Sequence, residues 1–383
     1  MLKNIKLLST ISVAFIFMIC FTSAKKTPAL KDENPPKIQV AILLDVSSSM
    51  DGLIEQAKAQ LWNMVNTLGK VTCKEKNPEI EIALYEYGRS NNELSKGYVK
   101  QINGFINNLD SLSENLFTLK TNGGEEYCGQ VIYTALNELI WDGNSSNYKV
   151  IFICGNEDFL QGNLKYTQAC SLAKDKGVVV NTIYCGSKDQ GIKEHWDLST
   201  TCGNGSYSFI NTNASIDEIA TPYDSMLISM NNNLNATYLT YGWQGLRGKK
   251  KQMGMDEVVV IQNKAVAMKR INAKANKAAY KNTSWDLVDA YNADSTILLK
   301  LDRTPLADSL KTKTSAEIKA IVLAKNNERN AAQKEIAGLY AKRNAFIAEE
   351  KKKKADAQVD QNLETEIEKI IKEQVQRYNM VIK

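Results

Sequence analysis

Residues 37–52, KIQVAILLDVSSSMDG, contain an apolar run that stops at Asp45 and is followed by Ser47 and Ser49. The run Ile38 to Leu44 has the length and the branched aliphatic content of a strand buried on both faces of a sheet. Ligand sites in open α/β sheets lie at the carboxyl ends of parallel strands, which is where these oxygen-bearing side chains begin. One carboxylate and two hydroxyls at alternate positions suit a hard divalent cation such as Mg2+, because that ion prefers oxygen ligands. The stretch therefore predicts a buried parallel strand with a candidate cation site at its end.

A second interpretation of the same serines is helix capping. Ser49 or Asp51 has the residue type of an N-cap for the helix that Leu53 to Leu68 predicts. The two interpretations are compatible, because a capping turn would also fix the loop. Both stay open at the level of sequence.

Strand-like and helix-like segments alternate along residues 37–235. The predicted strands are Ile38 to Asp45, Ile80 to Tyr87, Tyr98 to Ile102, Lys149 to Cys154, Val178 to Tyr184 and Tyr207 to Ile210. The predicted helices are Leu53 to Leu68, Gly104 to Phe117, Cys128 to Trp141, Leu164 to Lys176, Ile192 to Thr200 and Ile216 to Leu234. This alternation predicts an α/β fold with a doubly wound, mostly parallel sheet and helices on both faces. A chain of 383 residues, 43% of them hydrophobic, can bury such a core and still carry a further module.

The pattern Asp-x-Ser-x-Ser-Met-x-Gly, which begins at Asp45, resembles the metal-ion-dependent adhesion site of the von Willebrand factor A family. The resemblance extends over about residues 37 to 235 and implies that Tyr98 to Ile102 runs antiparallel at the sheet edge. It also implies that Thr121, in LKTNGGEEYCG, joins Asp45, Ser47 and Ser49 as a metal ligand. Mg2+ is the expected cofactor, with Mn2+ or Ca2+ as alternatives.

The end of the fourth strand departs from the family pattern. Many family members have an aspartate in a Thr-Asp-Gly sequence there, whereas this chain reads VIFICGNEDF and has Gly155 at that place. Additional metal or rim candidates are Asn156, Glu157, Asp158 and Glu125. Two outcomes stay open: a weaker site completed by Glu157 or Asn156, or a retained fold that needs no metal.

The resemblance implies a binding function without bond cleavage. A cation held by neutral hydroxyls and one or two carboxylates keeps net positive charge, so an acidic side chain of a protein partner can complete its coordination. The candidate rim residues that would select this partner are Asn91, Asn92, Tyr127, Phe159 and Gln161.

An enzyme is the minor hypothesis. His195 is the single histidine of the chain, and it lies in KEHWDL on a predicted helix without a serine and aspartate partner in view. The Gly245 to Lys250 sequence lacks the spacing and the Ser or Thr of a phosphate-binding loop. We therefore expect no catalytic residues.

Residues 1–24 have the pattern of an export signal. Lys3 and Lys6 precede the apolar stretch Leu7 to Phe21, and Thr22 to Ala24 offers small residues for cleavage. A polar linker, residues 25–36, follows. We expect a protein exported to the periplasm, cell envelope or exterior of a bacterium, with a retained membrane anchor as the less favoured alternative. Removing the two lysines lowers the formal charge from +5 to +3, which is too small for a nucleic-acid partner.

Six cysteines remain after such cleavage, namely Cys73, Cys128, Cys154, Cys170, Cys185 and Cys202. Disulfide bonds are permitted in an oxidising compartment, but the pairing stays open. Cys154 and Cys185 end apolar strands, so they also fit as small buried hydrophobes.

The C-terminal third predicts helices. Residues 236–310 read as a small, mostly helical connecting region, in which Met255 to Tyr280 is one helix and Trp243, Trp285 and Tyr291 are packing anchors. Residues 311–383 read as a long helix or a self-packing hairpin or coiled coil. A broken apolar stripe comprises Ile318, Val322, Ile336, Leu339, Phe346 and Ile347, and a cleaner one comprises Leu363, Ile367, Ile370, Ile371, Val375 and Tyr378.

Two function classes remain. The first is an exported binding module that uses a metal-tipped domain, with possible self-association through the C-terminal helices. The second is a structural component of envelope assembly, in which the domain is a metal-free scaffold and the helices carry the main contacts.

Overall fold

The computed structural model describes residues 35–201, 204–211, 219–353 and 363–383. The predicted signal peptide, nearly all of the predicted linker and Cys202 lie outside these residues. None of the helices in the described part of the chain combines the length and the apolar composition that crossing a bilayer requires.

Eight strands are formed by the described residues: β1 (Lys37–Asp45), β2 (Val71–Cys73), β3 (Glu79–Tyr87), β4 (Lys100–Ile106), β5 (Tyr148–Gly155), β6 (Val179–Cys185), β7 (Tyr207–Ile210) and β8 (Met380–Ile382). Six of them make one sheet in the order β4-β3-β1-β5-β6-β7, and β2 pairs with β8 in a separate ribbon. β1 lies at the centre and pairs in parallel with both β3 and β5. Only β4 runs antiparallel within the large sheet. The predicted doubly wound, mostly parallel α/β fold is therefore confirmed.

Helices of the described residues cover both faces of this sheet. They are α1 (Asp51–Leu68), α2 (Leu109–Thr118), α3 (Cys128–Glu138), α4 (Tyr166–Lys176), α5 (Lys188–Lys193), α6 (Asp224–Asn235), α7 (Gly245–Gln262), α8 (Lys264–Ala275), α9 (Leu287–Ala293), α10 (Asp308–Lys311), α11 (Ser315–Lys353) and α12 (Leu363–Gln374). Alternate residues of β1 point to opposite faces, so Val40 and Ile42 join the core with α1 and α2, while Ala41 and Leu43 join the core with α3 and α4. This is why the strand reads as a continuous apolar run.

The edge strand lies further along the chain than predicted. The prediction placed a strand at Tyr98 to Ile102 and a helix from Gly104, whereas β4 continues to Ile106 and α2 begins at Leu109. Gly97 and Tyr98 have φ values of 67° and 57°, so they form a turn and not a strand. The helix starts where the Asn108 side chain accepts a hydrogen bond from the Ser111 amide.

Further predicted helices begin late, divide or end early. The helix predicted as Ile216 to Leu234 is α6, which begins at Asp224, and its predicted first residue lies outside the described residues. The segment predicted as Ile192 to Thr200 divides into α5 and a 3-10 turn, Trp196–Thr201, because His195 adopts a φ of 62°. The helix predicted from Met255 to Tyr280 is two helices, since Asn263 is extended and caps α8 at the Val266 amide. The helix predicted to reach Trp141 ends at Glu138.

The C-terminal helices pack onto the α/β domain. The stripe of α12 that contains Ile367 and Ile371 shares one apolar cluster with α1, and α11 packs on α6 and α8. The buried Gln374 accepts hydrogen bonds from the Tyr148 hydroxyl at 2.8 Å and the Asn181 amide at 3.1 Å, and it donates to the Asn181 oxygen at 2.7 Å. Of the alternatives predicted for residues 311–383, α11 is the long helix, and the described residues of α11 and α12 pack on the α/β domain. The predicted domain boundaries near residues 235 and 310 stay predictions.

A buried ion network joins the connecting helices to α2. Arg270 donates to Asp110 at 2.8 Å and to Asp256 at 2.7 Å, and Lys274 donates to Asp256 at 2.6 Å. Burial alone would raise the pKa of Asp256, but the charges of Lys274 and Arg270 outweigh burial and hold it below its ordinary value. The network fixes α7 and α8 against the domain through charges that would be costly to separate.

Among the cysteines that the structure describes, Cys73, Cys128, Cys154 and Cys185 are free thiols. Cys170 is disulfide-bonded. Cys154 and Cys185 are buried, as expected for small hydrophobes at strand ends.

Candidate metal centre at the carboxyl edge of the sheet

Asp45 ends β1 at the centre of the carboxyl edge and is fully buried. Its Oδ1 accepts a hydrogen bond from the Ser47 amide at 2.7 Å, but its Oδ2 is buried without a hydrogen-bond partner. Burial raises the pKa of Asp45 to about 7, although the hydrogen bonds from Ser47 oppose this shift. One carboxylate oxygen at the centre of the edge is thus left without a donor.

The serine hydroxyls lie next to this carboxylate and face a second strand end. The Ser47 and Ser49 hydroxyl oxygens are 3.3 Å apart, and Ser49 donates to the Asn156 side-chain oxygen at 3.4 Å. A 3-10 turn, Ser48–Met50, leads into α1, and neither Ser47 before the turn nor Met50 before α1 makes a side-chain capping bond. The capping interpretation for Ser49 and Asp51 is therefore wrong, and the hydroxyls face other side chains.

Thr121 belongs to a loop that is fixed against the Asp45 loop. The Asn122 amide donates to the Val46 carbonyl at 2.9 Å, so the two stretches meet through their backbones. The Thr121 hydroxyl donates to the Asp51 carboxylate. Thr121 is therefore brought to the candidate site, but its hydroxyl is engaged by the first residue of α1.

Glu126 is a second buried carboxyl group in the site, and the predicted ligand set did not include it. It is only 7% exposed, and burial raises its pKa to about 8, with the charges of Asp45 and Glu157 adding to this shift and a hydrogen bond with Ser47 opposing it. Gly88, with a φ of 81°, leaves room for the Asp45 and Glu126 carboxyl groups to lie side by side. A Cβ atom there would lie 2.8 Å from Glu126 Cγ and 2.9 Å from Asp45 Oδ1. The signal in the sequence was the Glu-Glu pair just before α3, together with the glycine that follows β3.

Gly155 leaves no room for the carboxylate that the family resemblance implies at this position. A Cβ atom on Gly155 would lie 2.5 Å from the Tyr87 hydroxyl oxygen and 3.1 Å from the Trp196 ring. The Tyr87 hydroxyl is itself fixed, since it donates to the Cys154 carbonyl at 2.9 Å. The space for a fourth-strand side chain is therefore filled by aromatic groups.

The additional candidates divide into two groups. Asn156 contacts Ser49, and Glu157 is exposed but near enough to raise the pKa values of Asp45 and Glu126. Asp158 is engaged elsewhere, because its Oδ1 lies 2.9 Å from His195 Nδ1. Glu125 is exposed and acts on Glu126 through its charge alone.

The predicted rim is partly correct in position. The prediction of Phe159 as a rim residue is wrong, because its side chain is 1% exposed and packs edge-on against Trp196 with ring centroids 5.4 Å apart. Gln161 accepts a hydrogen bond from the Glu126 amide at 3.3 Å. Asn91 is exposed, Asn92 is half-buried and donates to the Tyr98 carbonyl at 3.2 Å, and Tyr127 packs beside Tyr98.

This donor set fits a hard divalent cation. The site contains two carboxyl groups whose pKa values are raised by burial, that of Glu126 also by the charge of Asp45. It also contains two neighbouring hydroxyls and one carboxylate oxygen without a donor, and a hard divalent cation would satisfy these groups. No cluster of three or more His, Cys, Asp or Glu side chains is placed to hold a metal ion within the described residues. A cation here would therefore depend on the serine hydroxyls as well as on the carboxylates.

Comparison with known proteins gives one family match. The model of the von Willebrand factor type A domain matches residues 39–221, which is just under half of the chain. No curated protein matches the chain.

Solved structures align with similar parts of the chain at low identity. A von Willebrand factor type A protein from Catenulispora acidiphila aligns over 46% of this chain and 39% of its own, with 14% identity and a TM-score of 0.35. Proximal thread matrix protein 1 from the mussel byssus, solved with a zinc-occupied MIDAS motif, aligns over 47% of this chain and 43% of its own, with 14% identity and a TM-score of 0.35. An aerotolerance-related membrane protein from Bacteroides fragilis NCTC 9343 aligns over 46% of this chain and 93% of its own, with 14% identity and a TM-score of 0.33. The chain spans less than half the length of the first two, and likenesses at this level transfer no ligand or partner.

Proposed function

Since residues 39–221 belong to the von Willebrand factor type A domain family, whose members are in general interaction modules, we propose that this chain binds a protein partner through a divalent cation at the carboxyl edge of its sheet. The chain would act without catalysis. Mg2+ is the proposed ion, with Mn2+ or Ca2+ as alternatives.

The unpartnered Asp45 Oδ2 is the single observation that carries this proposal. A buried carboxylate oxygen without a donor costs free energy unless a cation or a proton satisfies it. The Ser47 and Ser49 hydroxyls lie on the same side, 3.3 Å apart, and can act as neutral ligands. Asp45, Ser47 and Ser49 would hold the ion, with the buried Glu126 carboxyl beside Asp45 over Gly88. Thr121 would join them only after its hydroxyl leaves Asp51.

A cation bound by these groups supplies net positive charge and an exchangeable coordination position. The chain's own residues then decide what approaches it. Exposed Asn91, Glu125 and Glu157 and half-buried Asn92 lie around the edge. The two glutamates favour a partner that presents a single carboxylate over a strongly acidic surface, because a second negative charge would meet them at the rim.

The test is divalent-dependent stabilisation of the folded chain. At 100 times the dissociation constant, Mg2+ or Mn2+ should stabilise the wild type by about 2.7 kcal/mol, measured as a rise in melting temperature. Asp45→Asn keeps the shape of the side chain and should abolish the rise. Asp158→Asn is the matched control, because Asp158 lies at the same edge but is engaged by His195, and it should respond as the wild type does.

A wild type that shows no response to either ion would refute the cation site and favour the alternative, in which the domain is a metal-free scaffold and the C-terminal helices carry contacts in envelope assembly. The partner step has its own readout. Capture of a protein by the wild type should fail with chelator and with Asp45→Asn, but should persist with Asp158→Asn.

Export remains part of the proposal. Lys3, Lys6 and the apolar stretch from Leu7 to Phe21 support delivery to a bacterial envelope or beyond it. Cell fractionation, with the mass of the mature chain measured, tests both export and cleavage after Ala24.

A further inference from the structure

Helix α7 presents an apolar face to solvent. Trp243, just before the helix, is 80% exposed, and Leu246 and Ile261 are 75% and 84% exposed. Met253 and Val258 are also exposed, at 43% and 37%. At 3.6 residues per turn, the four side chains within α7 fall in an arc of about 140°, so they lie on one side of the helix, and Trp243 immediately precedes its first turn. We call this surface, with Arg247 and Lys250 included, the α7 outer face.

The opposite side of α7 is held in the core. Met255 and Val259 are buried in the main apolar cluster, and Asp256 is tied to Arg270 and Lys274. The helix therefore cannot roll to hide its outer face without breaking the buried ion network. Within the part of the chain that the structure describes, the apolar side chains of this face stay uncovered.

The outer face is also positively charged. Lys249 and Lys251 are engaged, since Lys249 donates to the Tyr238 carbonyl at 3.2 Å and Lys251 pairs with Glu114 at 2.6 Å. Arg247 and Lys250 are exposed and make no ion pair with any described residue. Glu257 is the acidic side chain on this side of α7, because Asp256 is buried. The face thus combines exposed tryptophan and aliphatic groups with free basic groups.

We propose that the α7 outer face is a docking surface for an anionic lipid bilayer. Tryptophan has an apolar ring and a polar N–H, which suits the boundary between headgroups and acyl chains. Leucine, methionine and isoleucine beside it add apolar area, and nearby Arg and Lys side chains pair with lipid phosphates. A protein partner with an acidic groove would need a matching shape, whereas a bilayer meets a convex face of mixed apolar and basic groups as it stands. The inference is independent of the cation site.

Tryptophan fluorescence reports this contact directly. Trp62, Trp196 and Trp285 are buried and Trp141 is half-buried, so Trp243 is the tryptophan whose environment a surface contact changes. Full-length chain added to vesicles of phosphatidylglycerol and phosphatidylcholine should show a blue shift in emission and should sediment with the vesicles. Pure phosphatidylcholine vesicles and high salt should both reduce binding, because the basic groups contribute through charge.

Variants separate this face from any other lipid contact, including one through the apolar stretch near the N-terminus. Arg247→Gln with Lys250→Gln should weaken partitioning about 25-fold, at about fivefold for each charge. Trp243→Ala with Leu246→Ala should weaken it by more than about tenfold. Leu299→Ala is the control, because Leu299 is 84% exposed but lies outside α7, and its binding should equal that of the wild type.

Three results would overturn the proposal. The first is equal vesicle binding by the wild type and the Trp243/Leu246 variant. The second is binding that ignores lipid charge and salt. The third is no vesicle binding by the wild type. If the Trp243/Leu246 variant then also differs from the wild type in oligomeric state, the face belongs to a contact with a second copy of the chain. Circular dichroism of each variant confirms that it is folded.

Discussion

Replacement of Gly155 by alanine should destabilise the chain strongly, although it adds only one methyl group. The added Cβ would lie 2.5 Å from the Tyr87 hydroxyl oxygen, a distance that real Cβ atoms essentially never show. The Tyr87 ring is fully buried and its hydroxyl is bonded to the Cys154 carbonyl, so the ring cannot move aside cheaply. The Trp196 ring at 3.1 Å closes the other side.

The size of the effect follows from two contributions. Overpacking of a well-filled core costs about 1 to 3 kcal/mol. Displacing the Tyr87 hydroxyl from the Cys154 carbonyl adds about 1 kcal/mol. Gly155→Ala should therefore lower the free energy of unfolding by about 2 to 4 kcal/mol.

Tyr87→Phe tests the cause, because it removes the atom that the new methyl group meets. In the Tyr87→Phe background, Gly155→Ala should cost at least about 1 kcal/mol less than in the wild type. Urea denaturation of the four proteins of this cycle gives the coupling energy. Gly143→Ala is the control, since no atom outside its chain neighbours lies within 4 Å of a Cβ there, and it should change stability by less than about 0.5 kcal/mol. Effects of Gly155→Ala and Tyr87→Phe that simply add would refute the assignment of the space to the tyrosine hydroxyl.

Three further predictions follow from the core and the site. Gln374→Leu should lower the free energy of unfolding by about 2 to 5 kcal/mol in urea denaturation, because the buried Tyr148 hydroxyl and Asn181 amide lose their acceptor. A change under about 0.5 kcal/mol would contradict the anchoring of α12 by this residue. The pKa of Asp256 is lower in the folded state than the ordinary aspartate value of 3.8, so the unfolded state binds more protons in acid. The free energy of unfolding should therefore fall as the pH drops below this value. An unchanged urea midpoint between about pH 5 and pH 3 would contradict this. Glu126→Gln should weaken the binding of Mg2+ or Mn2+ about 10- to 100-fold in a calorimetric titration, because the buried Glu126 carboxyl lies beside Asp45 and contributes negative charge there. Unaltered affinity would place Glu126 outside the site.

The sequence predicted the central strands closely, because burial on both faces leaves a clear signal. β1, β5 and β6 are rich in branched apolar residues. The observed first and last residues of each strand differ from the predicted ones by no more than one position. The edge strand β4 carries partly exposed residues such as Asn103 and Gly104, so its composition does not distinguish it from a helix start. The short strands β2 and β8 were missed, since three residues carry no periodicity and their pairing joins distant parts of the chain.

The candidate site was predictable only where one strand and its loop contain it. The motif after β1 identified Asp45, Ser47 and Ser49 as candidates, and their roles stay predictions. Glu126 was not in the predicted set because its burial depends on Gly88, which follows a different strand. The hydrogen bond of Thr121 to Asp51 is also a tertiary feature that loop composition does not encode.

The pairing of β2 with β8 has a consequence for how the molecule is made. Val71 pairs with Ile382, and the Lys383 amide donates to the Lys70 carbonyl at 3.1 Å, so a segment made late in synthesis closes onto one made early. The apolar side of α1 that α12 covers stays open to water until α12 has left the ribosome. Such long-range closure is entropically slow and leaves a sticky, incomplete intermediate. Removal of β8 would therefore interfere with a late step of maturation.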